Sequence, residues 1–149
     1  MKSTVIASLL PLLASSAHAT TPLSTCRDVH GDGQDNWVMW SCCQIPSDTD
    51  QDDPGREVWQ RTKLNLGQCL RNDRGELVPE WGGDARETCK ECTFQWDGGA
   101  SAWLFGCWCD KKDGQWSWIH LDSFVENQEG MLSCFGMVDQ HGTGYGGCD

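Results

Sequence analysis

The stretch Ile119-His120-Leu121-Asp122-Ser123-Phe124-Val125-Glu126-Asn127-Gln128-Glu129-Gly130-Met131-Leu132 decides the fold. It reads as a strand end, one short helical turn, and an Asn-x-x-Gly turn into another strand. Asn and Gly tolerate the left-handed backbone that such turns need. An earlier stretch has the same skeleton: Leu64-Asn65-Leu66-Gly67-Gln68-Cys69-Leu70-Arg71-Asn72-Asp73-Arg74-Gly75-Glu76-Leu77. Leu64 answers Ile119, Leu66 answers Leu121, Leu70 answers Val125, Asn72 answers Asn127, Gly75 answers Gly130 and Leu77 answers Leu132, all at an offset of 55 residues. A constant offset over that many positions marks a duplicated unit.

The rest of each copy lies upstream. Cys26 and Cys43 enclose sixteen residues, and so do Cys92 and Cys109. Between them His30-Gly31-Asp32-Gly33 answers Trp96-Asp97-Gly98-Gly99, and Trp37-Val38-Met39 answers Trp103-Leu104-Phe105, now at an offset of 66. The drop from 66 to 55 implies a longer loop in the first copy. That loop is Gln44 to Arg56, with Pro46, Pro54, Gly55 and the acidic run Asp48-Thr49-Asp50-Gln51-Asp52-Asp53. On the strand before it, Trp37, Met39, Ser41 and Cys43 share one face by the two-residue period, while Cys42 points the other way. Trp37 and Trp103 therefore read as core residues. Short strands with frequent turn signals, and no long amphipathic pattern, predict an all-β fold. Halves of about 60 residues are small for separate cores, so the copies are expected to form one pseudo-symmetric domain with a shared core.

The chain opens with Lys2, an apolar run from Val5 to Leu13, and Ala17-His18-Ala19, the form of a secretory leader with its cleavage site. The run is too short to span a bilayer. Residues 1–19 are expected to be a signal peptide, residues 20–137 the domain (repeats at about 24–80 and 88–137), and residues 138–149 a Gly-rich tail. The expected product is secreted and extracellular. All ten cysteines follow the leader, which in an exported chain reads as a disulfide framework. The rival reading is a metal site at Cys89-x-x-Cys92 and Cys107-x-Cys109 with His120; oxidising export and the repeat favour bridges, so no metal and no cofactor is expected. The net charge of −11 leaves no basic stripe for nucleic acid or for an anionic membrane surface.

Paired Cys, an apolar strand closing on Cys, and Leu-x-Leu-x-x-x-Ile/Val-x-Asn-x-x-Gly-x-Leu, all given twice, resemble the cyanovirin-N homology domain. The match is strongest over Trp118 to Leu132, next over Thr62 to Leu77, and spans Cys26 to about Phe135. Among secreted members with extra cysteines, the chain looks most like those of filamentous fungi. The resemblance implies a lectin fold: a pseudo-symmetric tandem repeat, each half a three-stranded sheet with a β-hairpin contributed by the other copy. It also implies binding of mannose-type or related neutral oligosaccharides, or glycoprotein glycans, without metal, at one or both ends. Carried over residue by residue, the first carbohydrate-binding site combines Ser24, Thr25, Gln44, Glu126, Asn127 and Glu129. The second combines Glu91, the segment Asp110 to Lys112, Gln115, Asn72 and Arg74. Arg74 stands where the family carries an acidic residue, and Arg offers no acceptor to a sugar hydroxyl. Gln44-Ile45-Pro46 departs from the usual polar run.

The resemblance pairs Cys26 with Cys43 and, by spacing, Cys92 with Cys109; Cys89 with Cys107 is the rival in the second copy. On the first choice Cys42, Cys69, Cys89, Cys107, Cys134 and Cys148 remain, with 15 connectivities open. Nine Trp are present. Of these, Trp59, Trp81, Trp96, Trp108 and Trp116 take no role from the pattern alone, and any exposed near a turn would be candidates for stacking on sugars. Glu126 and Glu129 sit three apart on a tight turn, and nothing in the sequence encloses either as a glycosidase acid. No Gly-x-Ser-x-Gly elbow accompanies the histidines. A non-enzymatic lectin is therefore expected, as a monomer or a domain-swapped dimer. A disulfide-hardened interaction or effector protein acting through protein contacts is the alternative.

Overall fold

The computed structural model describes residues 20–46, 57–110, 114–138 and 148. The expected leader, the acidic run, Lys112 and nearly all of the tail lie outside the described residues. Among the described residues twelve strands run in chain order: β1 (Thr20–Pro22), β2 (Cys26–Gly31), β3 (Val38–Ile45), β4 (Val58–Asn65), β5 (Leu70–Asp73), β6 (Glu76–Pro79), β7 (Cys89–Asp97), β8 (Ala102–Cys109), β9 (Gln115–His120), β10 (Val125–Gln128), β11 (Met131–Cys134) and β12 (Met137–Val138). The helical segments among the described residues are single 3-10 turns. The fold is all-β and antiparallel throughout, as the short apolar runs predict.

The duplication is visible in the topology. Each copy gives a three-stranded sheet, β2-β3-β4 or β7-β8-β9, then a 3-10 turn at Leu66–Gln68 or Leu121–Ser123, then a hairpin, β5-β6 or β10-β11. β1 and β12 extend the second hairpin on its two edges. Both hairpins turn through two residues at positive φ, Arg74 (55°) with Gly75 (97°) and Glu129 (53°) with Gly130 (88°). This turn matches the twist of the flanking strands.

Each hairpin docks on the sheet of the other copy. The backbone N–H of Leu132 in β11 donates to Thr62 Oγ1 in β4 at 3.0 Å, and that of Leu77 in β6 donates to Ser117 Oγ in β9 at 2.8 Å. Both hydroxyls are buried. A hydroxyl at these places gives an interior N–H the partner it needs; an alkyl group would leave it unpaired, at a cost of about 1–3 kcal/mol. Met39, Phe105, Leu66, Leu121, Leu70, Val125, Leu77 and Leu132 fill one common core. The halves also meet where Phe94 packs on Gly31; a Cβ there would lie 2.9 Å from the ring. Trp37 is buried edge-on to Phe105, with ring centroids 5.3 Å apart, and Trp103 packs against the core from its margin.

Five disulfides account for all ten cysteines: Cys26–Cys43, Cys42–Cys148, Cys69–Cys134, Cys89–Cys109 and Cys92–Cys107. The pairing of Cys92 with Cys109 expected from spacing is corrected, and so is its rival, Cys89 with Cys107. The reason is the length of the hairpin. Cys26–Cys43 spans 17 positions and Cys89–Cys109 spans 20, so from Cys to Cys the β7-β8 pair is three residues longer than β2-β3. The bulges show where the copies coincide: the register shifts between Arg27 and His30 in β2 and between Lys90 and Thr93 in β7, with Asp28 (φ 58°) and Glu91 (φ 52°) in the left-handed region. Cys26 is thus the counterpart of Cys89, and Cys92 that of Val29. The inner bridge Cys92–Cys107 stands where the first copy has Val29 and Ser41. The four cysteines with metal-like spacing are used in two bridges. Cys69–Cys134 ties one copy to the other across 65 positions, a closure that contributes roughly 4 kcal/mol.

Candidate functional site

The Asn of each hairpin holds it against the other copy. Asn127, with 1% of its surface exposed, accepts from Gly130 N–H at 2.8 Å through Oδ1. Its Nδ2 donates to Thr25 Oγ1 at 2.9 Å and to the Gln44 carbonyl at 2.8 Å. Thr25 in turn donates its hydroxyl proton to the Pro22 carbonyl at 2.8 Å. One amide therefore closes the turn and pins it to both walls of the first end. The same set recurs at the second end. Asn72 Oδ1 accepts from Gly75 N–H at 2.7 Å, and Nδ2 donates to Thr88 Oγ1 at 3.0 Å and to the Asp110 carbonyl at 3.2 Å. Gln115 Nε2 adds a bond to the Gly75 carbonyl at 3.2 Å.

The structure brings Thr25, Gln44, Glu126, Asn127 and Glu129 together at the first end, with Ser24 exposed beside Thr25. Glu129 is exposed at the tip of the turn, and Glu126 and the Gln44 side chain are half-buried. Asn127 is enclosed and its amide is engaged on both sides, so it shapes this end from within. The amide oxygen of Gln128, next to Glu129, is buried without a hydrogen-bond partner. Sequence reasoning passed over this residue, and its place immediately before the turn tip is the only signal that could have flagged it.

At the second end the structure brings Asn72, Asp110 and Gln115 together around the turn that carries Arg74. The Arg74 side chain is 90% exposed and lies 3.4 Å from Asp73 Oδ1. Asp73 is also 3.5 Å from Arg71, which is bonded to Glu80 at 2.6 Å. The bond to Glu80, with the charge of that carboxylate, raises the pKa of the Arg71 guanidinium. Glu91 does not reach the clamp; Thr88 takes the place at Asn72, and Glu91 lies in the β7 bulge. This displacement follows from the corrected disulfide register. Thr88 was legible as Glu87-Thr88-Cys89, the counterpart of Ser24-Thr25-Cys26, once the hairpin is allowed three more residues. The sequence also did not reveal that Trp108, Trp116 and Trp118 gather, exposed, on one sheet face.

The architecture, two sheets and two exchanged hairpins closed by Asn clamps, is that of a pseudo-symmetric tandem-repeat domain. The CVNH domain family matches residues 23–133, and the chain belongs to that family. Among solved structures, the chain is similar to GzCVNH from Gibberella zeae, at 17% identity and a TM-score of 0.59, over 76% of this chain and 95% of that one. It is similar to microvirin in complex with mannobiose, at 25% identity and a TM-score of 0.56, over 76% and 98%. It is also similar to a MoCVNH3 variant in complex with (N-GlcNAc)4, at 16% identity and a TM-score of 0.58, over 80% and 99%. No curated protein matches the chain.

Proposed function

We propose that this protein is a secreted, non-enzymatic lectin that binds mannose-type or related neutral glycans, without metal, at the end formed by the second hairpin. The observation that carries the proposal is the exposed Glu129 at a turn held rigidly by the Asn127 clamp between Thr25 and the Gln44 carbonyl. A carboxylate accepts hydrogen bonds from sugar hydroxyls, and bonds to a charged partner contribute about 1.5–3 kcal/mol. Glu129, Glu126, Ser24 and the Gln44 side chain touch the sugar, and Asn127 positions them. A turn fixed before binding loses little entropy on association. The Arg74 end has the same clamp, but Arg74 offers no acceptor where the first end presents Glu129, and the neighbouring Asp73 carboxylate faces Arg71 and Arg74, so this end is weaker for the same glycans. The likeness to microvirin, solved with mannobiose, supports the choice of ligand. The disulfide content and the leader-like start support export.

A glycan array probed with the oxidised protein, with and without a chelator, tests this reading. Binding of neutral mannose-type glycans that survives chelation is expected. A silent array from correctly folded protein would overturn the lectin reading in favour of a protein partner.

A further inference from the structure

The outer face of the sheet β7-β8-β9 is a grid of nine residues in three cross-strand rows: Lys90, Trp108 and Trp116; Thr93, Gly106 and Trp118; Gln95, Leu104 and His120. Trp108, Trp116 and Trp118 remain 40%, 41% and 42% exposed, a large apolar surface for an acidic chain. The rings are held in place. Trp116 and Trp118 are nearly parallel, at 16° and 5.6 Å between centroids, and Trp108 meets Trp116 edge-on at 6.4 Å. Glycines make the room: a Cβ on Gly106 would collide with the Trp118 indole, and one on Gly114 would lie 2.7 Å from that of Trp108.

We infer that this face is a second carbohydrate-binding surface, taking β-linked, all-equatorial pyranoses: glucose-type or N-acetylglucosamine-type oligomers. The inference rests on the lectin reading above. Three observations select the occupant. An exposed, preformed indole surface favours a flat ligand whose face is lined with C–H groups. In a β-linked gluco-configured ring both faces carry only axial hydrogens, whereas an α-linked mannose presents an axial oxygen on each face, O2 on one and O1 on the other. Next, the polar members of the grid are Lys90, Thr93, Gln95 and His120, and a carboxylate beside them in β7, that of Glu91 in the bulge, is next to Lys90. In a chain of net charge −11, this gives hydrogen-bonding partners for equatorial hydroxyls without a concentration of negative charge on the face. Finally, the platform borders the end formed by β5-β6, opposite to the end that carries Glu129. The Trp108–Trp116 pair adjoins the Cys109–Gln115 pair, and Gln115 donates to the Gly75 carbonyl of the turn that carries Arg74. A sugar chain lying on the indoles is thereby led toward that end.

The test is a titration with cellohexaose and, separately, chitohexaose, followed by the indole N–H resonances, with α-linked mannobiose as the control. For the native protein, shifts of the Trp108, Trp116 and Trp118 signals are expected with at least one hexaose, while buried Trp37 stays in place; which hexaose binds tells the glucose-type from the acetamido-type source. Trp116→Ala with Trp118→Ala should weaken that hexaose at least tenfold and leave mannobiose binding unchanged, with the five disulfides verified by mass. Trp118→Phe, which keeps a ring, should weaken it less. If mannobiose binds but neither hexaose moves the three indole signals, or if the double variant binds the hexaose as the native protein does, the platform is refuted while the lectin reading stands. If no sugar binds the native protein, both fail together.

Discussion

The two sheets hold equivalent places in the two halves, yet their outer faces have diverged. In β2-β3-β4, Trp40 pairs with Lys63 and Cys42 with Arg61; in β7-β8-β9 the same places hold Gly106 with Trp118 and Trp108 with Trp116. Indoles on the first face lie near cations, Lys63 at 5.7 Å from the Trp40 centroid and Arg27 at 4.4 Å from that of Trp59. Indoles on the second contact one another and stay open. The inner faces keep their character, with Met39 answered by Phe105, Leu66 by Leu121 and Leu70 by Val125. Buried positions share one core, in which a truncated side chain costs about 2–5 kcal/mol. Exposed positions carry no such constraint, so specialisation of the halves is found on the outside. The hairpin ends repeat the lesson, with identical Asn clamps beneath tips that carry Glu129 in one case and Arg74 in the other.

The comparison can be broken first at its covalent joint. Cys69→Ala with Cys134→Ala should lower unfolding stability by roughly 4 kcal/mol in urea titration, against about 3 kcal/mol for removing Cys92–Cys107, which closes a shorter loop within one copy. The reverse order would mean that the halves hold together without their bridge. The clamps come next. Asn127→Ala removes three bonds from an enclosed site and should cost about 3 kcal/mol, whereas Asn72→Ala, at a half-buried site, should cost about 1–2 kcal/mol. Equal losses would contradict the asymmetry in burial. Gly106→Val should displace Trp118, costing about 1–3 kcal/mol and altering the near-ultraviolet circular dichroism; an unaltered spectrum would mean that the glycine does not seat the ring. The smallest effect is expected on the other face, where Arg27→Ala should cost about 0.5–1 kcal/mol through the lost contact with Trp59.

The duplicated skeleton was legible because strand spacing, the Asn-x-x-Gly turns and the apolar alternation all report local geometry. Leu64 to Leu77 and Ile119 to Leu132 therefore locate both hairpins, and the resemblance they carry assigns each to the opposite sheet. The second-copy disulfides were not legible in the same way. An offset of 66 holds for β3 against β8 but not for β2 against β7, because three extra residues lengthen the hairpin between them; this misplaced Glu91 and hid Thr88. The indole platform was hidden for another reason. Trp108 and Trp116 become neighbours only through strand register, and register across a loop is set by tertiary packing. The turn that carries Asn127 was legible, but the enclosure of its side chain depends on Thr25 and Gln44, 102 and 83 positions away in the chain.

The most direct test of the central claim is a backbone NMR titration with α-linked mannobiose of the native protein, Glu129→Ala and Arg74→Glu. The account predicts shifts clustered at Ser24, Thr25, Gln44 and Glu126 to Gly130, at least a tenfold loss of affinity in Glu129→Ala, and new shifts around Asn72 to Gly75 in Arg74→Glu. Unchanged affinity in Glu129→Ala, or native shifts confined to the Arg74 end, would contradict it.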